Sequence, residues 1–155
     1  MPTTSETVEL RSPLDDMVCF ALYAAARATN RRYIALLAPW DLTYPQYLVL
    51  MLLWSRPSLT VGEVAEHLHL DSGTTSPLVR RLEQRGFLAR ERISADERVV
   101  TVTLTEPGRA LQSQLAHIPG CIAEATRLDE HGGRTVRSLL REVTRNLDHP
   151  NERTS

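Results

Sequence analysis

The sequence predicts a mainly α-helical fold that carries one small β-hairpin. Apolar residues recur at helical spacing in most of the chain, and proline, glycine and capping residues divide these regions into separate helices. One segment, Arg98–Thr105, alternates instead and is rich in β-branched residues, which is typical of a strand. The predicted order is therefore four helices, a hairpin and two further helices.

The first predicted helix extends from Leu14 to about Leu37, a stretch without proline or glycine. Ser12 suits the capping position and Pro13 suits the first helical position, while Pro39 ends the helix. The residues before Ser12 are polar and show no periodic pattern. We therefore expect regular structure to begin close to Ser12.

Three shorter helices are predicted next. Thr43 caps the first of them, and Thr60 caps the second in a capping box that Glu63 completes. A short turn leads to the third, and Gly86 suits the position just after its end. The first begins after Thr43 and is broken by Arg56-Pro57-Ser58, and the other two extend from Val61 to about Leu68 and from Ser72 to about Arg85.

The hydrophobic period changes after this point and predicts the hairpin. Phe87–Arg92 forms its first strand, Ser94–Glu97 its turn and Arg98–Thr105 its second strand. Two short helices joined by a tight turn and followed by a hairpin make a winged helix-turn-helix, which we place at about residues 43–106.

The remainder of the chain is predicted to be helical as far as Leu147. Thr105-Glu106-Pro107 begins a helix that continues to about Ile118. Pro119-Gly120 interrupts the pattern, which pauses again near Gly132-Gly133. All of these elements fit one domain over residues 1–155.

Composition limits the classes of protein to which the chain can belong. No apolar run approaches the roughly 18 residues of a membrane span, and the first ten residues lack the layout of a secretory signal. We therefore expect a cytoplasmic protein with no membrane partner. The two cysteines, Cys19 and Cys121, are too few for a disulfide scaffold, and cytosolic thiols are kept reduced. If they have a role, it is as thiols that react.

Nothing in the sequence predicts catalysis. There is no Ser/His/Asp arrangement, no phosphate-binding glycine loop and no pair of carboxylates at a useful spacing. The five histidines match no known set of metal ligands. We expect neither an enzyme nor a bound metal or cofactor.

The helix at 72–85 is predicted to enter the major groove of double-stranded DNA. Its first residues are small and hydrogen-bonding, so they can approach base edges. Arg80, Arg81 and Arg85 follow and can reach phosphates or bases. Pro77 fits this helix only if the regular part begins near Thr74 or the first turn is irregular. The small residues are Ser72, Thr74, Thr75 and Ser76.

The hairpin turn offers a second contact with DNA. Arg98 lies where a wing tip can enter the minor groove, and Asp96 would hold its guanidinium in place. Charge alone does not predict DNA binding, because the net charge is −1 and residues 60–108 hold 8 acidic residues against 6 arginines. The prediction depends on the order of the elements.

The same residues resemble the MarR family. Asp96-Glu97-Arg98, Leu104-Thr105 and Gly108 resemble its wing signature, and VGEVAEHLHLDSGTTSPLVRRLEQRGFLARER resembles its helix-turn-helix. The segments DDMVCFALYAAAR and LTYPQYLVLMLLW are similar to the organic-hydroperoxide-sensing branch of that family, OhrR. The resemblance covers about residues 14–147.

The resemblance implies a transcriptional repressor that acts as a homodimer on a pseudo-palindromic operator. The helices at about 12–40 and 107–147 would intertwine between the two subunits. Cys19 would be the thiol that an organic hydroperoxide oxidises, which releases the DNA. Tyr33 and Tyr44 of the partner subunit would donate hydrogen bonds to its sulfur.

The chemistry of sensing requires a thiolate that a peroxide can reach. The predicted helix start places Cys19 seven residues beyond the cap, where the helix dipole contributes little. Tyrosine donors are therefore the expected source of stabilisation. Apolar side chains would favour organic peroxides, although the candidates equally suit a core or a dimer interface. These candidates are Met17, Phe20 and Trp40.

Several alternatives stay open on the sequence. In relatives with two cysteines, the second cysteine forms a disulfide with the sensing one, but the family pattern places it near Glu124, about one turn after Cys121. Either Cys121 or a small cellular thiol would then resolve the sulfenic acid. The same fold could instead respond to a small aromatic ligand. An enzyme reading would make Cys19 the centre of a thiol peroxidase.

Overall fold

A computed structural model describes residues 12–92 and 99–149, and it confirms the predicted class of fold, mainly helical with a small antiparallel sheet. The chain divides into two units between Gln112 and Ser113. A short 3₁₀ turn, Ala38–Trp40, follows the first helix. The elements are α1 Val18–Leu37, α2 Tyr44–Ser55, β1 Ser58–Thr60, α3 Val61–Leu68, α4 Ser72–Gln84, β2 Leu88–Arg92, β3 Val100–Leu104, α5 Glu106–Gln114, α6 Ile118–Thr126 and α7 Glu130–Asp148.

The sheet has three strands in the order β1-β3-β2, all antiparallel. Val102 occupies the central position, opposite Leu59 on one side and Arg90 on the other. The sequence did not predict β1, because three residues are too few to show an alternating pattern. This edge strand ties the end of α2 to the base of the hairpin.

Two of the predicted helix starts are confirmed by their capping geometry. The hydroxyl of Thr43 accepts a bond from the Gln46 amide, and the Gln46 side chain accepts one from the Thr43 amide. Thr60 and Glu63 form the same reciprocal pair at α3. These bonds satisfy amides that have no partner within the helix, so both ends are fixed locally.

The predicted start of the first helix was wrong by one turn. The amide of Ser12 donates to the Asp15 carboxylate (2.9 Å) and that of Leu14 to the Ser12 hydroxyl (3.3 Å). These bonds hold a separate turn at residues 13–16, and α1 begins only at Val18. Cys19 is consequently the second residue of α1 rather than a residue at the end of its second turn.

The last helices also differ from expectation. The helix predicted to reach Ile118 ends at Gln114, and α6 begins at Ile118. In contrast, α7 passes without a pause through Gly132-Gly133. The Asp129 side chain accepts a bond from the Gly132 amide (2.7 Å), so both glycines lie in a capped first turn.

The core of the first unit lies between the end of α1, α2, α3, α4 and the sheet. Its aliphatic side chains interdigitate at positions without solvent contact, as close packing requires. These fully buried residues include Leu37, Val49, Leu50, Val64, Val79, Leu82 and Val102.

Apolar side chains remain exposed on the first and last helices of the single chain. On α1 they include Val18, Tyr23 and Ile34, whereas α7 has no buried residue at all. The exposed apolar residues of α7 are Val136, Leu139, Leu140 and Leu147. None of the helices in the described part of the chain combines the length and the apolar character that crossing a bilayer requires.

Candidate functional site

The helix α4 presents one polar side to solvent. Thr75, Val79 and Leu82 point into the core, and the opposite side carries the exposed residues. A shallow depression of about 320 Å³ crosses this polar side. Three arginines line it, and none of the carboxylates in the described residues does. Its lining residues are Ser76, Pro77, Arg80, Arg81, Gln84 and Arg90.

Three of the predicted DNA contacts, Ser76, Arg80 and Arg81, are brought together in this depression. Gln84 and Arg90 line it as well, and neither was predicted. Gln84 lies four residues after Arg80, so helical spacing could have identified it. Arg90 belongs to β2 and is held there by an ion pair with Glu83 on α4 (2.6 Å), which no local pattern reveals.

The N-terminus of α4 is capped by Asp71. Its carboxylate accepts bonds from the Thr74 amide (2.7 Å) and the Thr74 hydroxyl (3.1 Å). These bonds hold the pKa of the Asp71 carboxyl below its usual value. Because the carboxylate occupies these donors, a contact with DNA at this end would come from exposed side chains: Ser72, and Thr74 through the lone pairs of its hydroxyl, which can still accept.

Thr75 is a correction to the predicted DNA contacts. Its side chain is 0% exposed, and its hydroxyl donates to the Asp71 carbonyl (2.8 Å). The phase of the helix turns this one residue inward while both neighbours, Thr74 and Ser76, stay exposed. Thr75 therefore stabilises the start of α4 and cannot reach a base edge.

Replacing Thr75 by valine should destabilise the protein by about 1 kcal/mol, because one buried hydrogen bond is lost without a change of shape. Operator affinity of the folded variant should stay at the wild-type value. Urea unfolding and a DNA titration measure the two quantities. Thr74→Val, at the exposed neighbour, should instead weaken the operator complex. A loss of affinity without a loss of stability in Thr75→Val would show that Thr75 contacts DNA.

Of the other predicted contacts, Arg85 is already engaged. Its guanidinium donates to the backbone carbonyls of Trp40 (2.7 Å) and Asp41 (2.5 Å), which ties the end of α4 to the turn after α1. The wing-tip pair, Asp96 and Arg98, lies outside the described residues. Pro77 lies inside α4, which is continuous through it; the proline contributes no amide to the helix.

Cys19 lies exposed near the start of α1. Met17 precedes the helix, and its side chain makes no capping bond with this end of α1. The backbone dipole at a helix N-terminus favours negative charge. The expectation that the dipole would contribute little to Cys19 was therefore based on a wrong helix start.

The proposed apolar surroundings of Cys19 are only partly assembled within one chain. Met17 is 48% exposed, and Phe20 is half-buried with its ring 6.1 Å from that of Tyr23. Trp40 lies beyond the opposite end of α1, and that helix of 20 residues is about 30 Å long. Trp40 therefore cannot line the same chain's Cys19.

Tyr33 and Tyr44 are in direct contact. Their rings stack with centroids 3.8 Å apart and planes inclined by 17°. Burial, the neighbouring tyrosines and a hydrogen bond with Tyr44 raise the pKa of Tyr33 to about 12. Burial likewise raises the pKa of Tyr47, which lies 5.8 Å from Tyr33. Tyr33 and Tyr47 consequently stay protonated over the whole neutral range.

The raised pKa of Tyr33 makes stability depend on pH in the alkaline range. An unfolded chain ionises Tyr33 near its ordinary pKa of 10.0, before the folded chain does at about 12. The contribution is therefore complete below about pH 10 and is lost as the pH rises towards 12. Urea unfolding at several pH values should show this loss in wild type and a smaller loss in Tyr33→Phe. Equal losses in both would contradict the assignment.

Cys19 and Tyr33 are separated by 14 residues on one helix, or about 21 Å along its axis. The tyrosine pair therefore cannot contact the sulfur of its own chain.

Cys121 is a half-buried residue in the first turns of α6, in the second unit. In the described ranges, 12–92 and 99–149, no three potential ligands are grouped so as to hold a metal ion.

A second, more apolar depression lies between α1, α2 and α4. Its volume is about 500 Å³, and Arg81 is the charged residue among the described side chains that line it. Ile34, Pro45 and Leu78 supply apolar surface, while Asn30, Thr43 and Thr74 supply polar groups. Such a lining suits a small amphipathic molecule.

Comparisons with known proteins agree with this geometry. The model of the MarR family matches residues 42–100. The organic hydroperoxide resistance transcriptional regulator of Bacillus subtilis is 39% identical over 138 residues, which cover 89% of this chain and 94% of the relative. Reduced AbfR bound to DNA, a protein of Staphylococcus epidermidis, has 31% identity and a TM-score of 0.74 over 90% of this chain and 95% of its own.

A third similar structure is that of Bordetella bronchiseptica BpsR, whose DNA binding is described as regulated by 6-hydroxynicotinic acid. It has 26% identity and a TM-score of 0.77, covering 86% of this chain and 97% of that one. For AbfR, solved structures also include an overoxidised form bound to DNA and a form with a disulfide.

Proposed function

This chain belongs to the MarR family of DNA-binding transcription regulators, and from that membership we propose that it is a homodimeric repressor controlled by organic hydroperoxides. Oxidation of Cys19 releases the operator. The observation that carries the proposal is the position of the exposed thiol and the tyrosine pair at opposite ends of α1. In a dimer, the thiol of one subunit can contact the tyrosine pair of the other subunit.

The proposed dimer pairs two α1 helices in antiparallel directions. Ala26 lies halfway between Cys19 and Tyr33, so a crossing there brings the thiol of one subunit level with the tyrosines of the other. Alanines surround this midpoint at positions 24, 25 and 28 and are all exposed, which allows close approach of two helices. The exposed apolar residues of α7 supply further surface for association.

DNA recognition is proposed for the exposed side of α4. Arg80 and Arg81 supply positive charge, and Ser76 supplies a small donor between them and the helix start. A two-fold dimer presents two such helices to half-sites about 34 Å apart. That requirement explains how a small change in the dimer can weaken both halves of the complex together.

The sensing step is a nucleophilic displacement at oxygen. The Cys19 thiolate attacks the terminal oxygen of ROOH, the O–O bond breaks, and the alkoxide leaves and takes a proton as ROH. Sulfur is oxidised to the sulfenic acid, and the peroxide is reduced to the alcohol. A second thiol then attacks the sulfenic sulfur, which forms a disulfide and releases water. That thiol is Cys121 of the partner subunit or a small cellular thiol.

Gel-shift titration tests the proposal on an operator selected from random duplexes by the reduced protein. One equivalent of cumene hydroperoxide per subunit should release the DNA, and a dithiol reductant should restore binding. The protein should consume a single equivalent, whereas a thiol peroxidase would turn over continuously with reductant. No release by peroxide, or selection of no preferred duplex, would contradict the proposal.

A second candidate function keeps the fold but uses a small aromatic acid as the inducer. The depression of about 500 Å³ favours it, because Arg81 can pair with a carboxylate beside an apolar lining. The regulation of BpsR by 6-hydroxynicotinic acid supports the same idea. Titration of the operator complex with salicylate and with 6-hydroxynicotinic acid distinguishes the two. Release of DNA by an acid from a Cys19→Ser variant would favour this second function.

A further inference from the structure

Four aromatic rings form a continuous row along α1 and α2. Tyr44 stacks on Tyr33 at 3.8 Å, Tyr33 lies 5.8 Å from Tyr47, and Tyr47 meets Trp54 edge to face at 6.0 Å. Tyr47, in the middle, is 2% exposed. Each ring thus has a packed neighbour, and the row connects the tyrosine pair with the end of α2.

Trp54 fastens the far end of this row to the base of the wing. Its indole N–H donates to the Gly108 carbonyl at 3.0 Å. Gly108 lies in the first turn of α5, directly after β3. The junction leaves little room, since a Cβ on Gly108 would lie 2.1 Å from the Phe87 carbonyl oxygen. The Thr105 amide also donates to that oxygen (3.1 Å).

We propose that Trp54 is a positioning residue that transmits oxidation of Cys19 from the Tyr33–Tyr44 pair to the wing. The inference rests on the proposed function, in which this pair bonds the partner's sulfur. When oxidation removes those bonds, the tyrosine rings shift. Close-packed rings cannot shift independently, so the shift reaches Tyr47 and then Trp54. Through its hydrogen bond with Gly108, Trp54 then moves the junction between β3 and α5.

Trp54→Phe tests this step, because it keeps an aromatic ring and removes the N–H donor. Its Cys19 should be oxidised by cumene hydroperoxide at the wild-type rate, and its reduced form should bind the operator. The ratio of the operator Kd of the oxidised protein to that of the reduced protein should fall about tenfold, within the usual range of coupling between sites. Tyr23→Phe, on an exposed ring outside the row, should keep the wild-type ratio.

A second measurement observes Trp54 in the wild-type protein. The chain has two tryptophans, so fluorinated tryptophan gives two fluorine NMR resonances, which Trp40→Phe assigns. The Trp54 resonance should shift when Cys19 is oxidised, and Tyr47→Leu, which interrupts the row, should suppress that shift. If Trp54→Phe does not fold, the shift of the Trp54 resonance in the wild-type protein tests the proposal by itself.

The possible failures are distinguishable. A wild-type protein whose operator affinity ignores peroxide contradicts the proposed function and the transmission together. A wild-type protein that responds, with the same Kd ratio in Trp54→Phe, overturns the role of Trp54 alone. A Trp54 resonance that does not move on oxidation overturns it as well.

Discussion

Replacing Cys19 by serine is expected to abolish release of the operator by organic hydroperoxide and to leave binding by the reduced protein intact. Serine is nearly isosteric with cysteine, so it fits the place of Cys19 in the proposed dimer contact without loss of packing. The hydroxyl cannot be oxidised by a peroxide. Wild-type affinity should fall about 100-fold on oxidation, and affinity of the variant should not change. Fluorescence anisotropy of labelled operator measures both.

Cys121→Ser is the matched control for this prediction. If Cys121 resolves the sulfenic acid, this variant should still release DNA at first but should overoxidise and fail to recover with reductant. If a small thiol resolves it, the variant should behave as wild type whenever that thiol is present. A Cys19→Ser protein that still loses the operator on treatment with peroxide would rule out Cys19 as the sensor.

Replacing Arg80 by alanine is expected to weaken operator binding by about 1–3 kcal/mol, or roughly 5- to 150-fold. Arg80 lies on the exposed side of α4 and lines the depression there beside Ser76. The double variant with Arg81→Ala should bind the operator little better than unrelated DNA. If either arginine contacts a phosphate, the slope of log affinity against log salt should also fall by about one for each such residue lost.

Arg109→Ala provides the control for charge. Arg109 is an exposed arginine on α5, paired with Glu106, and it does not line the depression on α4. Its loss changes the net charge as much as the loss of Arg80 does. Equal losses of operator affinity in the two variants would mean that affinity depends on overall charge and that α4 forms no specific DNA-binding surface.

The sequence predicted the elements whose signals are local. Capping pairs at Thr43 and Thr60 fixed the starts of α2 and α3, because each pair satisfies its amides within three residues. The start predicted at Ser12 was wrong because the local bonds between Ser12 and Asp15 form a complete turn that does not continue into a helix. The interruption predicted at Gly132-Gly133 failed because capping by Asp129 outweighs the low helix propensity of glycine in a first turn.

The candidate site was less accessible to sequence reasoning. The family resemblance implied that Tyr33 and Tyr44 bond the same sulfur, but their stacking was not predicted, since nothing local places two residues from different helices in a stack. The inward direction of Thr75 depends on the phase of α4 against the core, which small polar residues do not reveal. Arg90 belongs to β2 and lies at the surface of α4 because it pairs with Glu83 of that helix, a contact between two elements that no local pattern reveals.

The most direct test follows operator release and the state of each thiol in the same sample. Substoichiometric cumene hydroperoxide is added in steps to the reduced protein–operator complex. At each step anisotropy gives the fraction of DNA released, and peptide mass spectrometry gives the fraction of Cys19 oxidised. The account predicts that release rises in proportion to oxidation of Cys19 and reverses with it under reductant. Full oxidation of Cys19 with the operator still bound, or release while Cys19 stays reduced, would contradict it.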